Sequence, residues 1–458
     1  MGQTIFVPRE SDKAEPRVAA SPETVKRYVG LGFDVVVEAG AGSASRIIDD
    51  EFAQAGAKIG KAADAGKADI VLRVRRPNAA ELKTYKKGAA VFATMDPYGN
   101  EGDVAAMGKA GVSAFAMEFM PRITRAQSMD VLSSQANLAG YQAVIDAAET
   151  YDRAMPMMMT AAGTVPAAKV FVMGAGVAGL QAIATARRLG AVVTATDVRA
   201  AAGEQVASLG AKFIMTDALK DASGEGGYAR ELTDAEKKAQ AELVASHIAK
   251  QDIVITTALI PGRPAPKLVS ADMVKSMRPG SVIVDLAVER GGNVEGAKAG
   301  EVVTTANGVK IIGYLNVPGR VAASASLLYA KNLFAFLETM VDKEKKSFSI
   351  DPEEELAKAT LLTHGGQVVH ANFGGKAAAA PKAAAKPAAR KAPAKPAARK
   401  AAPKAAAKAQ AIAAPQDKVS APDAAAKAEA PLKSGAVSKG AATKAKPARK
   451  PAAKGGKN

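Results

Sequence analysis

Arg122, Arg125, Gln127, Asp130 and Ser133 crowd into RITRAQSMDVLSSQANLAGYQAV, where an apolar helical pattern begins. Guanidinium, amide, carboxylate and hydroxyl groups at this density can hydrogen-bond a polar ligand and stabilise charge on it, but an arginine cannot serve as a base. No histidine precedes His247, and none of the 458 residues is cysteine. The cluster therefore suits orientation of a ligand better than nucleophilic or histidine-based proton-transfer chemistry. No metal site is read from the chain. The competing reading is a helix cap whose charges pair among themselves.

A second constellation lies in KVFVMGAGVAGLQAIATARRLGAVVTATDVRAAAGEQ. An apolar strand runs into Gly174, an amphipathic helix follows, and a second strand ends at Asp197. Gly174 permits the tight turn, Gly176 lets backbone approach a pyrophosphate, and Gly179 lets the helix pack close to the strand. The helix N-terminus then presents its N–H groups to phosphate. Asp197 stands where a carboxylate accepts from ribose hydroxyls and repels a 2′-phosphate, which favours NAD over NADP. Arg199 argues the other way, as a residue that can accept that phosphate; alternatively it stays solvated or flanks the adenine. Further on, TDALKDASGEGGYARELTDAEKKAQ is a charged insertion with Tyr228 beside Gly227, read as a lid over a nucleotide or as a mobile surface loop.

The elements needed to hold these residues are those of an α/β protein. Short apolar runs at 4–7, 33–37, 69–74, 89–95 and 112–117 alternate with helical segments, one of them at 21–31 with Ser21 as cap and Pro22 in its first turn. A second set of strands is expected at 169–173, 192–196, 253–257, 281–286 and 309–312, with another ending at Met215. Long helical patterns at 128–151 and 321–341 fall at the junctions. The expected architecture is two doubly wound, Rossmann-like domains with a cleft, joined by two long crossing helices. Residues 1–135 and 320–375 form one domain in this reading, and 136–319 the nucleotide-binding one.

Composition sets the limits. Absence of cysteine excludes disulfides and fits a reducing compartment. The N-terminus has no apolar core of signal-peptide length. Residues 155–186 are apolar, but Pro156, Gly163, Pro166 and Lys169 interrupt them, so they read as core rather than as a bilayer span. The net charge of +17 is local: residues 376–458 hold 20 of the 62 Lys+Arg and 3 of the 45 Asp+Glu, leaving 42 of each sign before them. That Ala/Lys/Pro-rich tail is expected to be disordered. It is either a tether to an anionic surface (nucleic acid or an acidic membrane) or a solubilising appendage.

FVPRESDKAEPRVAASPETVKRYVGLGFDVVVEAGAG resembles the N-terminal domain shared by alanine dehydrogenases and the NAD(H)-binding component of proton-translocating nicotinamide nucleotide transhydrogenases. RITRAQSMDVLSSQANLAGY, ATDVR, the Tyr228 segment, TTALIPGRPAP and VIVDLAVERGGN resemble the transhydrogenase branch in particular. The likeness spans residues 1–375 and leaves out the tail. It implies that Arg122, Gln127, Asp130 and Ser133 hold the nicotinamide ring of NAD(H). It also implies that Val177, Asp197, Val198 and Arg199 contact adenosine and phosphates, that Gly227 and Tyr228 close a flap, and that Ala258 and Leu259 lie beside the dinucleotide. The implied assembly is a homodimer at the cytoplasmic face of the membrane. There it docks on a membrane-spanning, proton-conducting subunit, with NADP(H) bound by a partner subunit. The alternative within the family is an NAD-dependent amino-acid dehydrogenase of the alanine type. Against it, Arg75 and Asp96 stand where those enzymes carry a lysine and a histidine, although Arg17, which would grip a substrate carboxylate, is present. Hydride transfer between two nicotinamides requires no proton acceptor, which accounts for a polar cluster without a base.

Overall fold

The computed structural model describes residues 2–374 apart from 218, 220, 221, 223–229, 231, 260 and 261. The expected tail and the flap residues Gly227 and Tyr228 lie outside the described residues.

The strands form two large sheets. In the first, the spatial order is Lys58–Gly60, Asp34–Glu38, Thr4–Val7, Ile70–Arg75, Ala90–Thr94, Ser113–Ala116, Leu361–His364 and Gln367–Val368. The first six are parallel, and Leu361–His364 runs antiparallel to Ser113–Ala116. In the second, the order is Lys212–Phe213, Val192–Thr196, Lys169–Met173, Ile253–Thr256, Val282–Asp285, Lys310–Ile312 and Val302–Thr304, with only the last pair antiparallel. The strands are apolar at nearly every residue because both faces are covered. Val170 and Val172 pack with Ala182 and Ile183 on one face, while Phe171 and Met173 pack with Val244 and Ile248 on the other.

Strand order reverses beside Thr4–Val7 in the first sheet and beside Lys169–Met173 in the second. Each reversal opens a crevice at the carboxyl ends of neighbouring strands, where doubly wound sheets bind ligands.

Helix Val131–Thr150 carries the chain from the first sheet to the second, and helix Ala322–Glu338 carries it back. Ser134 Oγ donates to Asn332 Oδ1 at 2.7 Å and Gln135 Nε2 to the Ala325 carbonyl at 3.2 Å, so the two helices touch. Arg320 Nη2 donates to the buried Asp146 at 2.9 Å, which pins the start of the return. Tyr329, Leu333 and Phe336 of the returning helix then pack with Ile5, Leu72 and Phe92 of the first sheet.

Several expectations need adjustment. The helix expected from 128 begins at Val131, because residues Thr124–Met129 form a tighter 3-10 turn and Asp130 is the cap. The strand expected to end at Met215 is only Lys212–Phe213. Residues 155–186 are not core throughout: Met158–Thr160 and Gly163–Val165 form a hairpin on which Met157, Met158 and Met159 are exposed. His364 and His370 belong to the first sheet and its margin. His364 Nδ1 lies 3.0 Å from Ser113 Oγ, and His370 Nε2 lies 3.1 Å from the Ala359 carbonyl.

Candidate functional site

The glycine turn sits at the second sheet's reversal. Gly174 has φ +103°, a conformation only glycine adopts without strain, and a Cβ there would lie 2.5 Å from Thr257 Oγ1. A Cβ on Gly179 would fall 1.7 Å from the Gly174 carbonyl oxygen, so the Val177–Arg188 helix can approach its strand only without a side chain at that position. Gly176 differs: a Cβ there would meet open space. It caps the helix without any side-chain hydrogen bond, and Val177 beside it is half-exposed. Two glycines serve packing, and the third leaves an uncovered helix N-terminus, the arrangement that accepts a phosphate.

Asp197 directly follows the neighbouring strand Val192–Thr196 and is 7% exposed. Its carboxylate accepts from the Ala175 amide in the glycine turn at 2.7 Å, which ties the strand end to the turn. Arg199 is partly exposed and paired with this acid. Its Nε and Nη2 clasp the same carboxylate at 2.9 and 2.8 Å, and its amide adds a bond at 2.9 Å. Burial alone would push the Asp197 acid up, but Arg199 and the two amides outweigh it and hold it below the ordinary carboxylate range. Val198 lies between them and is partly buried.

The third wall is the segment after Ile253–Thr256. Thr257 Oγ1 donates to the Gly174 carbonyl at 3.1 Å, Ala258 follows, and Leu259 is 45% exposed. Asn293 fixes this wall. Fully buried, it accepts from the Ala258 amide at 3.1 Å and donates to the carbonyls of Ala258 and Pro266, each at 2.8 Å. Sequence reasoning missed Asn293 as a site residue, although it closes the VIVDLAVERGGN motif.

Asp130 caps the Val131–Thr150 helix. It accepts from the Ser133 amide at 2.9 Å and from Ser133 Oγ at 2.6 Å. Arg122 and Gln127 are exposed on the preceding turns. Arg125 stands apart from this group, since its guanidinium bridges Glu354 and Glu355, each at 2.8 Å. The capping reading thus describes Asp130 and Ser133 in this structure, whereas Arg125 pairs with carboxylates outside the cluster. Seven residues beyond Ser133 the same helix reaches the nucleotide turn: Asn137 Nδ2 donates to Gln181 Oε1 at 3.3 Å, and Gly140 packs on Ala178.

The first sheet's reversal holds a separate cleft of about 690 Å³, lined among others by Glu10, Arg75, Asp96, Glu289 and Asn316. Arg17 does not face it freely: it clasps Glu15 through Nε and Nη2 at 2.7 Å each and donates to Gln135 at 2.8 Å. Arg75 Nε reaches the same Glu15 at 2.8 Å. Burial raises the Glu15 acid, yet the two arginines hold it below its ordinary value. Asp96 pairs with Arg290 from the second sheet's side, and its backbone adopts φ +46°. The partly buried Glu118 accepts from the amides of Met95 and Asp96. Burial pushes its acid up to about 7. His247 rests on Phe171 with Nε2 2.8 Å from Thr194 Oγ1, a helix residue packed away from both clefts.

The doubly wound second sheet, its glycine turn and the acid at the next strand end define a dinucleotide-binding protein of the Rossmann class. Residues 6–139 match the alanine dehydrogenase/PNT N-terminal domain and residues 143–371 the corresponding C-terminal domain, so the chain belongs to the alanine dehydrogenase/PNT family. It is 54% identical over 383 residues to an NAD(P) transhydrogenase subunit alpha chain of Rhodospirillum rubrum, covering 82% of this chain and all of that one. A solved transhydrogenase structure from Sinorhizobium meliloti superposes with a TM-score of 0.72 at 66% identity, over 81% of this chain and all of that chain. An L-alanine dehydrogenase structure is more distant, with a TM-score of 0.68 at 26% identity over 81% of this chain and 98% of its own. No helix among the described residues is long and apolar enough to cross a membrane.

Proposed function

We propose that this chain is the NAD(H)-binding subunit of a proton-translocating NAD(P) transhydrogenase. In this reading residues 1–135 with 320–375 form one domain and 136–319 the nucleotide-binding one. The chain forms a homodimer at the cytoplasmic face of the membrane, where it docks on a membrane-spanning proton-conducting subunit and an NADP(H)-binding subunit.

The observation that carries the proposal is the pairing of a complete dinucleotide turn with a polar helix start that brings no histidine. The described residues fit NAD(H). Gly176 and the uncapped start of the Val177–Arg188 helix would hold the pyrophosphate, and Asp197 the adenosine ribose. Val177, Val198 and Arg199 would border the adenosine, with Ala258 and Leu259 along the opposite side. Arg122, Gln127, Asp130 and Ser133 would hold the carboxamide and ring, and Gly227 with Tyr228 would cover the nucleotide. When bound, NAD(H) supplies or accepts the hydride exchanged with NADP(H) on the partner. The residues of this chain hold the ring in orientation and keep water from it, which is where the rate advantage of a reaction without proton transfer must come from. A carboxylate at Asp197 repels a 2′-phosphate, and its bond to Ala175 keeps it at the turn.

The test mixes the purified chain with membranes stripped of peripheral proteins and follows hydride transfer from NADPH to an NAD⁺ analogue. Activity only in the mixture supports the proposal; a mixture that stays inactive while the chain binds NADH refutes it. The first sheet's cleft favours a second reading, an amino-acid dehydrogenase, because space remains beside Arg75. Alanine-dependent reduction of NAD⁺ by the chain alone would establish that reading instead.

A further inference from the structure

The ring end and the phosphate end of the proposed NAD(H) site belong to two different helices, and a single glycine sets their separation. Asp130 and Ser133 stand at the start of Val131–Thr150, and the phosphate turn is the start of Val177–Arg188. The helices meet where Gly140, buried in mid-helix, lies against Ala178, two residues beyond Gly176. A Cβ on Gly140 would fall 2.0 Å from the Ala178 carbonyl oxygen and 3.0 Å from its Cα. These are backbone atoms of the phosphate helix's first turn, so no rotamer can relieve the contact. Ordinary contact begins near 3.4 Å, and the helices would therefore have to separate by more than 1 Å. From Ser133 to Gly140 is seven residues, about 10 Å of rigid helix at 1.5 Å per residue. A displacement at Gly140 is thus delivered to the ring-holding end without being absorbed by a loop. Asn137, one turn earlier, ties the same two helices through Gln181.

We infer that Gly140 is a positioning residue that sets the register between the phosphate turn and the nicotinamide-holding end. This rests on the reading of the site given above. Glycine inside a helix weakens it by roughly 1 kcal/mol relative to alanine. The opposite helices supply a reason for it here, whereas a Cβ at Gly102, inside helix Glu101–Ala110, would meet open space.

The experiment compares Gly140→Ala and Asn137→Ala with Gly102→Ala and the unaltered protein in three measurements. These are ADP affinity, NADH affinity, and hydride transfer from NADPH to an NAD⁺ analogue in the mixture with stripped membranes. ADP touches only the phosphate and adenosine half and reports whether that half is folded. For Gly140→Ala the expected result is ADP affinity close to that of the unaltered chain, with hydride transfer lowered on the order of 100-fold, the effect of misplacing a reacting group by about 1 Å. NADH affinity should fall by a smaller factor. Asn137→Ala should shift the same two readings in the same direction by a few-fold, and Gly102→Ala should shift none. Equal losses of ADP and NADH affinity in both Gly140→Ala and Asn137→Ala would overturn the inference, as would unimpaired transfer by Gly140→Ala. Failure of the unaltered chain to bind NADH would instead overturn the site reading on which it rests.

Discussion

Glu118 offers a prediction whose size follows from the structure. Its carboxyl is partly buried, receives the amides of Met95 and Asp96, and has its acid pushed from an ordinary 4.5 to about 7 by desolvation, the amides opposing that rise and the Asp96 charge adding to it. A group whose pKa is raised in the fold binds a proton more tightly folded than unfolded. It therefore favours the folded state while protonated, and stability declines as pH rises between 4.5 and 7. Each tenfold difference in proton affinity is worth about 1.4 kcal/mol, so the full change across that window is about 3 kcal/mol. Glu118→Gln removes the titration while keeping a carbonyl oxygen for one of the two amides. Urea unfolding of both proteins at pH 4, 5, 6, 7 and 8 gives a stability difference in which every other titrating group cancels to first order. The unaltered protein should lose about 3 kcal/mol relative to Glu118→Gln between the lowest and highest pH, with most of the change between 5 and 7. Parallel curves across the range would refute the reasoning and show that Glu118 titrates as an ordinary exposed acid.

Two further predictions concern the nucleotide site. Asp197→Asn removes the charge that Arg199 clasps and that would face the ribose in the proposed site; NADH affinity should fall tenfold or more, about the 1.5–3 kcal/mol of a charge-assisted hydrogen bond. The preference for NADH over NADPH should narrow, because the repelling carboxylate is gone and Arg199 is released, and fluorescence titration with both nucleotides checks both effects. Asn293→Ala leaves the amide and carbonyl of Ala258 and the carbonyl of Pro266 without their partner, so thermal or urea unfolding should show a loss of about 1–3 kcal/mol, accompanied by weaker NADH binding.

The sequence made the strands legible where the fold buries them on both sides. Thr4–Val7, Lys169–Met173 and Val192–Thr196 stand within their expected bounds, since continuous apolar runs between turn residues leave little else to form. The glycine turn was legible because each glycine has a separate steric task. Antiparallel additions were not. Leu361–His364 joins the first sheet from a point 245 residues beyond Ala116, and nothing in a four-residue run names its partner. The exposed methionines of the hairpin carry the same apolar signal as core residues, so hydropathy could not tell them apart. Ion pairing was equally opaque. Arg125 and Arg122 stand three apart in one motif, but only the fold brings Glu354 and Glu355 to Arg125.

The residues that escaped the sequence reading share a property with the chemistry proposed for them. A catalyst that moves protons advertises itself by side-chain type. One that only orients two rings depends on distances between backbones, and its determinants are then residues defined by what they touch. Asn293 is an ordinary asparagine until its three bonds to the Ala258 and Pro266 backbone are seen. Gly140 is an ordinary small residue until Ala178 stands 2.0 Å from the Cβ it lacks. Asp197 and Arg199 were both noticed, but as competitors over which nucleotide binds. Their mutual clasp makes them one unit instead: Arg199 keeps the carboxylate charged and aimed, and that carboxylate keeps Arg199 from offering a 2′-phosphate its full guanidinium. In the proposed site, selectivity for NAD(H) would belong to the pair, and substituting either member should relax it.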